Sequence, residues 1–228
     1  MGKMISFATA DGSADGHLAE AGPGAPAVVV LQEWWGLTPH IKEVADRCAA
    51  AGFTALAPDL YHGETVGHPD EAKRMMLALS MDQAAADLRG AVDLLLDLPT
   101  VGGKHVGSIG FCLGGGLGLF LASIDPRVRA TVDFYGVLPV PGAKPDLTTV
   151  RGAVQGHFGA DDAYIDADAR ARLTATLEGA GVATELHVYP ATGHAFFNDD
   201  RPEAFEPTAA ATAWDRTQEF LRMQLAAS

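Results

Sequence analysis

The sequence predicts an α/β fold, a mainly parallel central sheet with helices on both faces and antiparallel strands at its N-terminal edge. Strand-like and helix-like patterns alternate along the chain with short connections, the pattern of βαβ units. Ala27-Val28-Val29-Val30-Leu31 is an unbroken apolar run, as expected of a strand covered on both faces. Two short strand patterns flank the turn Asp11-Gly12-Ser13 ahead of it.

Taken in order, Met4 to Thr9 and His17 to Glu20 read as the paired edge strands, and Gly22-Pro23-Gly24 as the next turn. Pro39 to Ala51 reads as a helix stopped by Gly52, and Thr54 to Ala57 as a strand closed by Pro58. Tyr61 to Pro69 is a loop rich in Gly and His; Asp70 to Leu79 and Met81 to Leu98 read as helices. Lys104 to Ile109 is strand-like and Leu117 to Ile124 helix-like, and Arg129 to Phe134 is a further strand. Val137 to Thr149 is a proline-bearing loop. Ala153 to Phe158 is a strand, Asp166 to Ala180 a helix, Thr184 to Tyr189 the last strand, and a final helix runs from about Glu206 to Leu225. No internal repeat or low-complexity linker interrupts this, so residues 1–228 are expected to form one domain.

Composition narrows the partners. A net charge of −13 argues against nucleic acid and against anionic membrane surfaces. No stretch approaches the roughly 20 apolar residues of a membrane span, and Met1 to Thr9 carries no visible signal peptide. Two cysteines in so long a chain make no disulfide framework, and Cys48 lies in a helical pattern suited to burial. The expectation is a cytoplasmic protein, monomer or homodimer, with one structural and one reactive cysteine.

The reactive one is Cys112. Gly110-Phe111-Cys112-Leu113-Gly114-Gly115 joins a strand pattern to a helix pattern and has the form of a nucleophile elbow, with a thiol in place of the usual serine hydroxyl. Glycine is needed two positions either side, because a Cβ there would meet neighbouring backbone. The helix N-terminus behind the thiol is expected to ease its ionisation.

A thiolate nucleophile needs a histidine to move protons and an acid to orient that histidine. The α/β-hydrolase order is nucleophile, acid, histidine. Asp161-Asp162 follows one predicted strand and His194 follows the last, so both lie at strand C-terminal ends, where active-site loops gather. Motif position favours Asp162, with Asp161 as the alternative. The oxyanion hole is expected from the backbone N–H of Leu113 and, in the loop after the Ala27–Leu31 strand, of Trp34. Glu33 stands beside the expected position of the nucleophile, either as a tuning acid or in a buried ion pair. Tyr135 either contacts substrate or caps its strand. His62 and His68 lack companions that would complete a metal-ligand set, so neither metal nor organic cofactor is expected.

Gln32-Glu33, Pro58-Asp59-Leu60-Tyr61, the Gly110–Gly115 elbow, Tyr135-Gly136, Asp162 and Tyr189 to Phe196 together resemble the dienelactone hydrolase (carboxymethylenebutenolidase) family over nearly the whole chain. The resemblance implies an α/β-hydrolase fold and a triad of Cys112, His194 and Asp162. It also implies that Glu33 holds the resting thiol and releases it as substrate binds. Two arginines bind the substrate carboxylate in the best-known members. Here Asn198 stands at one of those positions, with Arg201 shortly after it and Lys73 and Arg74 loosely matching the other. A pocket short of arginines would bind anionic lactones weakly. With Trp35, Tyr135, Phe196, Asn198 and Arg201 as candidate lining residues, an apolar and aromatic ester is the expected substrate. The leading expectation is therefore a cysteine-dependent hydrolase of carboxylic esters or lactones acting through an acyl-enzyme. The alternatives are an arylesterase or phosphotriesterase acting on neutral substrates, or a non-catalytic redox-sensing binding protein.

Overall fold

The structure, a computed structural model, describes residues 1–136, 140–143 and 145–226. Its strands are β1 (Lys3–Thr9), β2 (Gly12–Ala19), β3 (Ala25–Leu31), β4 (Thr54–Pro58), β5 (Val101–Phe111), β6 (Val128–Phe134), β7 (Ala153–Gly159) and β8 (Thr184–Tyr189). Its helices are α1 (Pro39–Ala50), α2 (Pro69–Ala78), α3 (Met81–Asp97), α4 (Leu113–Ile124), α5 (Ala167–Gly179) and α6 (Pro207–Leu225). The strands form one sheet in the order β1-β2-β4-β3-β5-β6-β7-β8. β1 pairs antiparallel with β2 and β2 antiparallel with β4, and every later pairing is parallel. This is the mainly parallel sheet with antiparallel N-terminal strands that the alternation of patterns predicts, and the α/β-hydrolase arrangement that the resemblance implies.

Three expected elements differ clearly in extent, β5 running from Val101 to Phe111 rather than from Lys104 to Ile109. β2 begins at Gly12 rather than His17, because its polar first half still pairs with β1, Thr9 opposite Gly12 and Phe7 opposite Ala14. An edge strand facing water on one side carries a weak apolar signal. The elbow helix begins at Leu113, four residues before the apolar run, because Gly114-Gly115-Gly116 forms its first turn. The expected loop Val137 to Thr149 falls partly outside the described residues; within it, Leu147–Thr149 makes one turn of 3-10 helix.

The alternation of side chains along the strands splits the core into two layers. Ala27, Val29 and Leu31 of β3 face the layer covered by α3, α4 and α5, while Val28 and Val30 face α1 and α6. Each fully buried Leu, Ile or Phe in those layers contributes roughly 1.5–3 kcal/mol, which fixes the strand ends in place. Register then assembles the site. Leu31 lies opposite Gly110, Phe111 opposite Phe134 and Gly159 opposite Tyr189, so the loops carrying Glu33, Cys112, Asp162 and His194 emerge at one edge of the sheet. Among the described residues no helix is long and apolar enough to cross a membrane.

Candidate active site

Cys112 sits between β5 and α4 at φ +54°, ψ −113°, a conformation that a non-glycine residue adopts only when its surroundings impose it. Its N–H donates to the Phe134 carbonyl at 2.9 Å, and its carbonyl accepts from the Gly115 N–H at 3.0 Å. The flanking glycines are obligatory. A Cβ on Gly110 would lie 2.0 Å from the Gly114 oxygen, and one on Gly114 would lie 2.4 Å from the Leu31 oxygen. Leu113, as first residue of α4, has no intrahelical acceptor for its N–H, which lies close enough to the sulfur to favour the thiolate.

That help is outweighed. Burial pushes the Cys112 thiol well above its ordinary range, and the negative charges of Glu33, Asp162 and Asp133 push it further. The expectation of an easily ionised thiol is therefore corrected: the thiol is largely enclosed, with three carboxylates acting on it, and the helix end does not compensate.

His194 follows β8 between two residues with positive φ, Ala191 at 52° and Ala195 at 60°, so the loop bends sharply on either side of it. Its Nδ1 is 2.8 Å from Asp162 Oδ2. Asp162 Oδ1 accepts from the Tyr164 N–H at 2.7 Å and the Ile165 N–H at 3.0 Å. Burial alone would raise the Asp162 carboxyl, but the His194 contact and those two amides hold it below the usual carboxylate range. Asp161 is exposed, its N–H donating to the Thr192 carbonyl, so of the two acids only Asp162 meets the histidine.

Cys112 and His194 open onto one cavity of about 390 Å³, walled also by Glu33, Trp34, Trp35 and Tyr164. Among the described residues the thiol makes no side-chain hydrogen bond to His194 or Glu33. Glu33 is buried and bonded instead to Asn198, whose Nδ2 donates to its Oε2 at 2.7 Å. Burial raises the Glu33 carboxyl; the charge of His40 and the Asn198 bond act against it.

The expected pocket residues separate into two groups. Trp35 and Arg201 line the cavity, the Arg201 guanidinium lying 4.7 Å from the Trp35 ring centre. Phe196 and Tyr135 do not line it. Both are fully buried, their rings 5.5 Å apart, because the chain after His194 turns its aromatics into the α1/α6 layer. Tyr135 instead supports the imidazole, ring centres 5.0 Å apart. Asn198 is buried as the partner of Glu33 rather than lining the cavity onto which Cys112 and His194 open.

Asn198 brings no cation to the cavity, but Lys73 and Arg201, the counterparts named from the sequence, both line it. Lys73 and Met76, three residues apart on α2, present one helix face to it. Tyr164, whose ring centre lies 5.0 Å from that of His194 with the planes tilted, is not singled out by sequence; its only signal is its place two residues after the catalytic acid candidate. His62 and His68 have local partners, His62 beside Asp87 at 3.3 Å and His68 capping α2.

Residues 15–225 match the model of the dienelactone hydrolase family. The chain belongs to that family. It is 35% identical over 209 residues to a carboxymethylenebutenolidase of Pseudomonas sp. (strain P51), covering 86% of this chain and 84% of the relative. It is 32% identical over 211 residues to a Bradyrhizobium sp protein carrying the name 2-oxo-3-(5-oxofuran-2-ylidene)propanoate lactonase, covering 88% and 84%. The solved structure of a dienelactone hydrolase-like promiscuous phosphotriesterase, P91 from metagenomic libraries, superposes with a TM-score of 0.87 at 24% identity, covering 98% of each chain. This dienelactone hydrolase family member is a hydrolase acting on ester or lactone bonds.

Proposed function

We propose that the protein opens carboxylate-bearing lactones, or cleaves the related esters, through a Cys112–His194–Asp162 triad and a thioester acyl-enzyme. The observation that carries this reading is the Asp162–His194 contact of 2.8 Å, beside a strained Cys112 that opens onto the same cavity. Asp162 fixes the proton on Nδ1, leaving Nε2 as the base.

As substrate enters, Nε2 takes the thiol proton and the sulfur attacks the carbonyl carbon. The Leu113 and Trp34 N–H groups hold the oxyanion. The C–O bond breaks, and the imidazolium returns its proton to the departing oxygen. In a lactone that oxygen remains tethered to the acyl group. Nε2 then removes a proton from water, whose oxygen attacks the thioester, and collapse expels the sulfur, which recovers its proton from His194. Because the resting thiol is held neutral by its surroundings, thiolate forms only as the proton moves to His194.

Lys73 and Arg201 supply positive charge to a cavity that Trp34, Trp35, Met76 and Ala195 make apolar on part of its wall, which favours a substrate with one carboxylate and an unsaturated ring. The relative named as a propanoate lactonase bears a name of the same kind. The apolar walls Trp34, Trp35 and Met76 favour a second substrate class, neutral aryl esters or phosphotriesters like those of the fold neighbour.

A hydrolysis panel of dienelactone, p-nitrophenyl esters and a neutral phosphotriester decides between the classes. Cys112→Ala is expected to lose at least about 10³-fold in kcat on every substrate. Lys73→Ala and Arg201→Ala are each expected to raise KM for the anionic lactone about tenfold and leave the neutral esters unchanged. Full activity in Cys112→Ala ends the mechanism, and equal effects of the cation variants on both classes end the assignment of an anionic substrate.

A further inference from the structure

The end of the sheet opposite Cys112 carries a second concave site, about 470 Å³ in volume, of which the triad makes no use. It is framed by the starts of β6 and β7, by the turn into β8, by β5 at His105 and by the last turn of α6 at Gln224. His105 and Cys112 stand at opposite ends of one extended stretch of chain, roughly 20 Å apart at the rise of a β-strand. The charged lining of this cavity is wholly basic: His105, Arg129 and Arg151 line it, and no carboxylate does. On a chain with a net charge of −13 such a concentration calls for a counter-ion.

Local structure brings these groups together. The pairing of β5 with β6 shifts register between Val106, opposite Val128, and Gly107, opposite Ala130, so Arg129 is an extra residue in the ladder. Such a bulge re-aims the side chain it carries. Gly152 lets Arg151 come alongside: a Cβ there would lie 2.4 Å from the Arg129 carbonyl oxygen. Arg129 Nη1 donates to the Arg151 carbonyl at 2.7 Å. Among the described residues that is the only hydrogen bond of the Arg129 side chain; the side chains of Arg151 and Lys104 make none, and none of the three has an ion-pair partner. His105 Nδ1 is buried with no hydrogen-bond partner. Burial and the charges of Arg129 and Lys104 push its imidazole below its ordinary range, so the ring stands neutral beside the cations at pH 7.

We propose that this cavity binds a phosphate-bearing small molecule, a phosphate monoester or inorganic phosphate, with Arg129 and Arg151 on its oxygens and His105 beside them. Two guanidiniums without acids of their own repel each other. A dianion relieves that repulsion, whereas a single carboxylate leaves one cation unmatched. A tetrahedral phosphate also offers several oxygens, which the parallel N–H groups of a guanidinium meet in pairs. The bound anion reverses the electrostatics at His105: with the cations neutralised, the imidazole takes a proton and adds a donor, so binding strengthens as pH falls. The groups around it are Lys104 on its own strand, Arg129 from β6, Arg151 before β7 and uncharged Gln224 from α6. The site is separate from the triad and stands whichever substrate the triad takes.

The test is isothermal titration calorimetry of the full-length protein with inorganic phosphate, glycerol phosphate and acetate at matched ionic strength. Both phosphate probes are expected to bind at one site, about tenfold or more tighter than acetate. Arg129→Gln and Arg151→Gln are each expected to weaken them by about tenfold or more and to leave ester hydrolysis at the wild-type rate. Sulfate, a dianion throughout the range, isolates the histidine: its affinity is expected to rise several-fold between about pH 8 and pH 5.5 in wild type and to stay flat in His105→Gln. Histidine side-chain NMR follows the phosphate titration on wild type without any substitution, and the His105 resonance is expected to move. No saturable binding of either phosphate probe, or acetate bound as tightly, overturns the inference. So does phosphate binding that survives both arginine variants but is lost in Lys73→Gln, which would place the anion in the catalytic cavity. A His105 resonance unmoved by phosphate, or a sulfate affinity indifferent to pH in wild type, removes His105 from the site and overturns the assignment as stated.

Discussion

Asp162 and Glu33 are both buried carboxylates near one cavity, and their surroundings push them in opposite directions. Asp162 has a histidine and two backbone amides on its oxygens, which hold its carboxyl below the usual range; Glu33 has one hydrogen-bonded asparagine donor, and burial raises it. The difference is one of donor count. Each hydrogen bond to the charged form offsets part of the cost of leaving water, and three close donors reverse the balance where one does not. The pair shows how a single pocket sets two acids apart: the His194 contact and two amides lower the carboxyl of Asp162, while burial raises that of Glu33.

The sharpest way to break that comparison is Asp162→Asn. The amide keeps the acceptor for Tyr164 and Ile165 but turns a donor towards Nδ1, which forces the wrong imidazole tautomer. Steady-state kinetics are expected to record a fall in kcat/KM of roughly 10³ to 10⁴-fold with the fold intact. Activity within tenfold of wild type would mean that Asp162 only anchors its loop. The sign of its stability effect is also fixed. A folded-state pKa below the unfolded value contributes stability above about pH 4 that is lost as pH falls through the folded value, so wild type should lose more stability than the variant on acidification.

A third buried acid sharpens the contrast. Asp133, at the end of β6, is wedged beneath the elbow: a Cβ on either Gly115 or Gly136 would lie 2.0 Å from its Oδ1. Burial pushes its carboxyl up to about 7, opposed only by the Gly136 amide. Here the folded value lies above the unfolded one. Its stabilising contribution is complete below about pH 4 and is lost as pH rises through 7. Asp133→Asn should therefore match wild type at pH 4 and exceed it at pH 8 by up to about 4 kcal/mol in denaturant unfolding. Equal stability of the two proteins at pH 8 would show that donors outside the side-chain network hold Asp133 ionised.

Much of this was legible in the sequence, for identifiable reasons. The elbow announces itself because steric demand leaves only glycine at positions 110 and 114, and the chain order of Cys112, Asp162 and His194 follows from strands that all end on one edge. Fold and family needed little more than alternation of patterns and those few residues. What stayed hidden depends on directions and distances. Nothing in the string tells that Phe196 turns into the core, or that Lys73 rather than Arg74 lines the cavity while Asn198 turns away from it. The sign of the Cys112 shift was misjudged because a helix end is visible as a motif, whereas the sum of burial and three nearby acids is not.

Glu33→Gln gives the smallest of these effects and tests the ordering of all three acids. Glutamine preserves the shape and the acceptor for Asn198, so packing stays constant and only the titration is removed. Since the Glu33 pKa is raised, the variant should gain stability over wild type as pH rises, with the same sign as Asp133→Asn. The gain should be smaller, because His40, Asn198, His194 and Arg201 act against burial at Glu33, whereas the Gly136 amide acts alone at Asp133. Unfolding curves of both variants at pH 4 and pH 8 rank the two directly. A larger gain at Glu33 than at Asp133 would mean that the imidazole and the asparagine do not reach the carboxylate in solution. The account of its ionisation, and of the contrast between the two acids beside the sulfur, would then have to be rebuilt from burial alone.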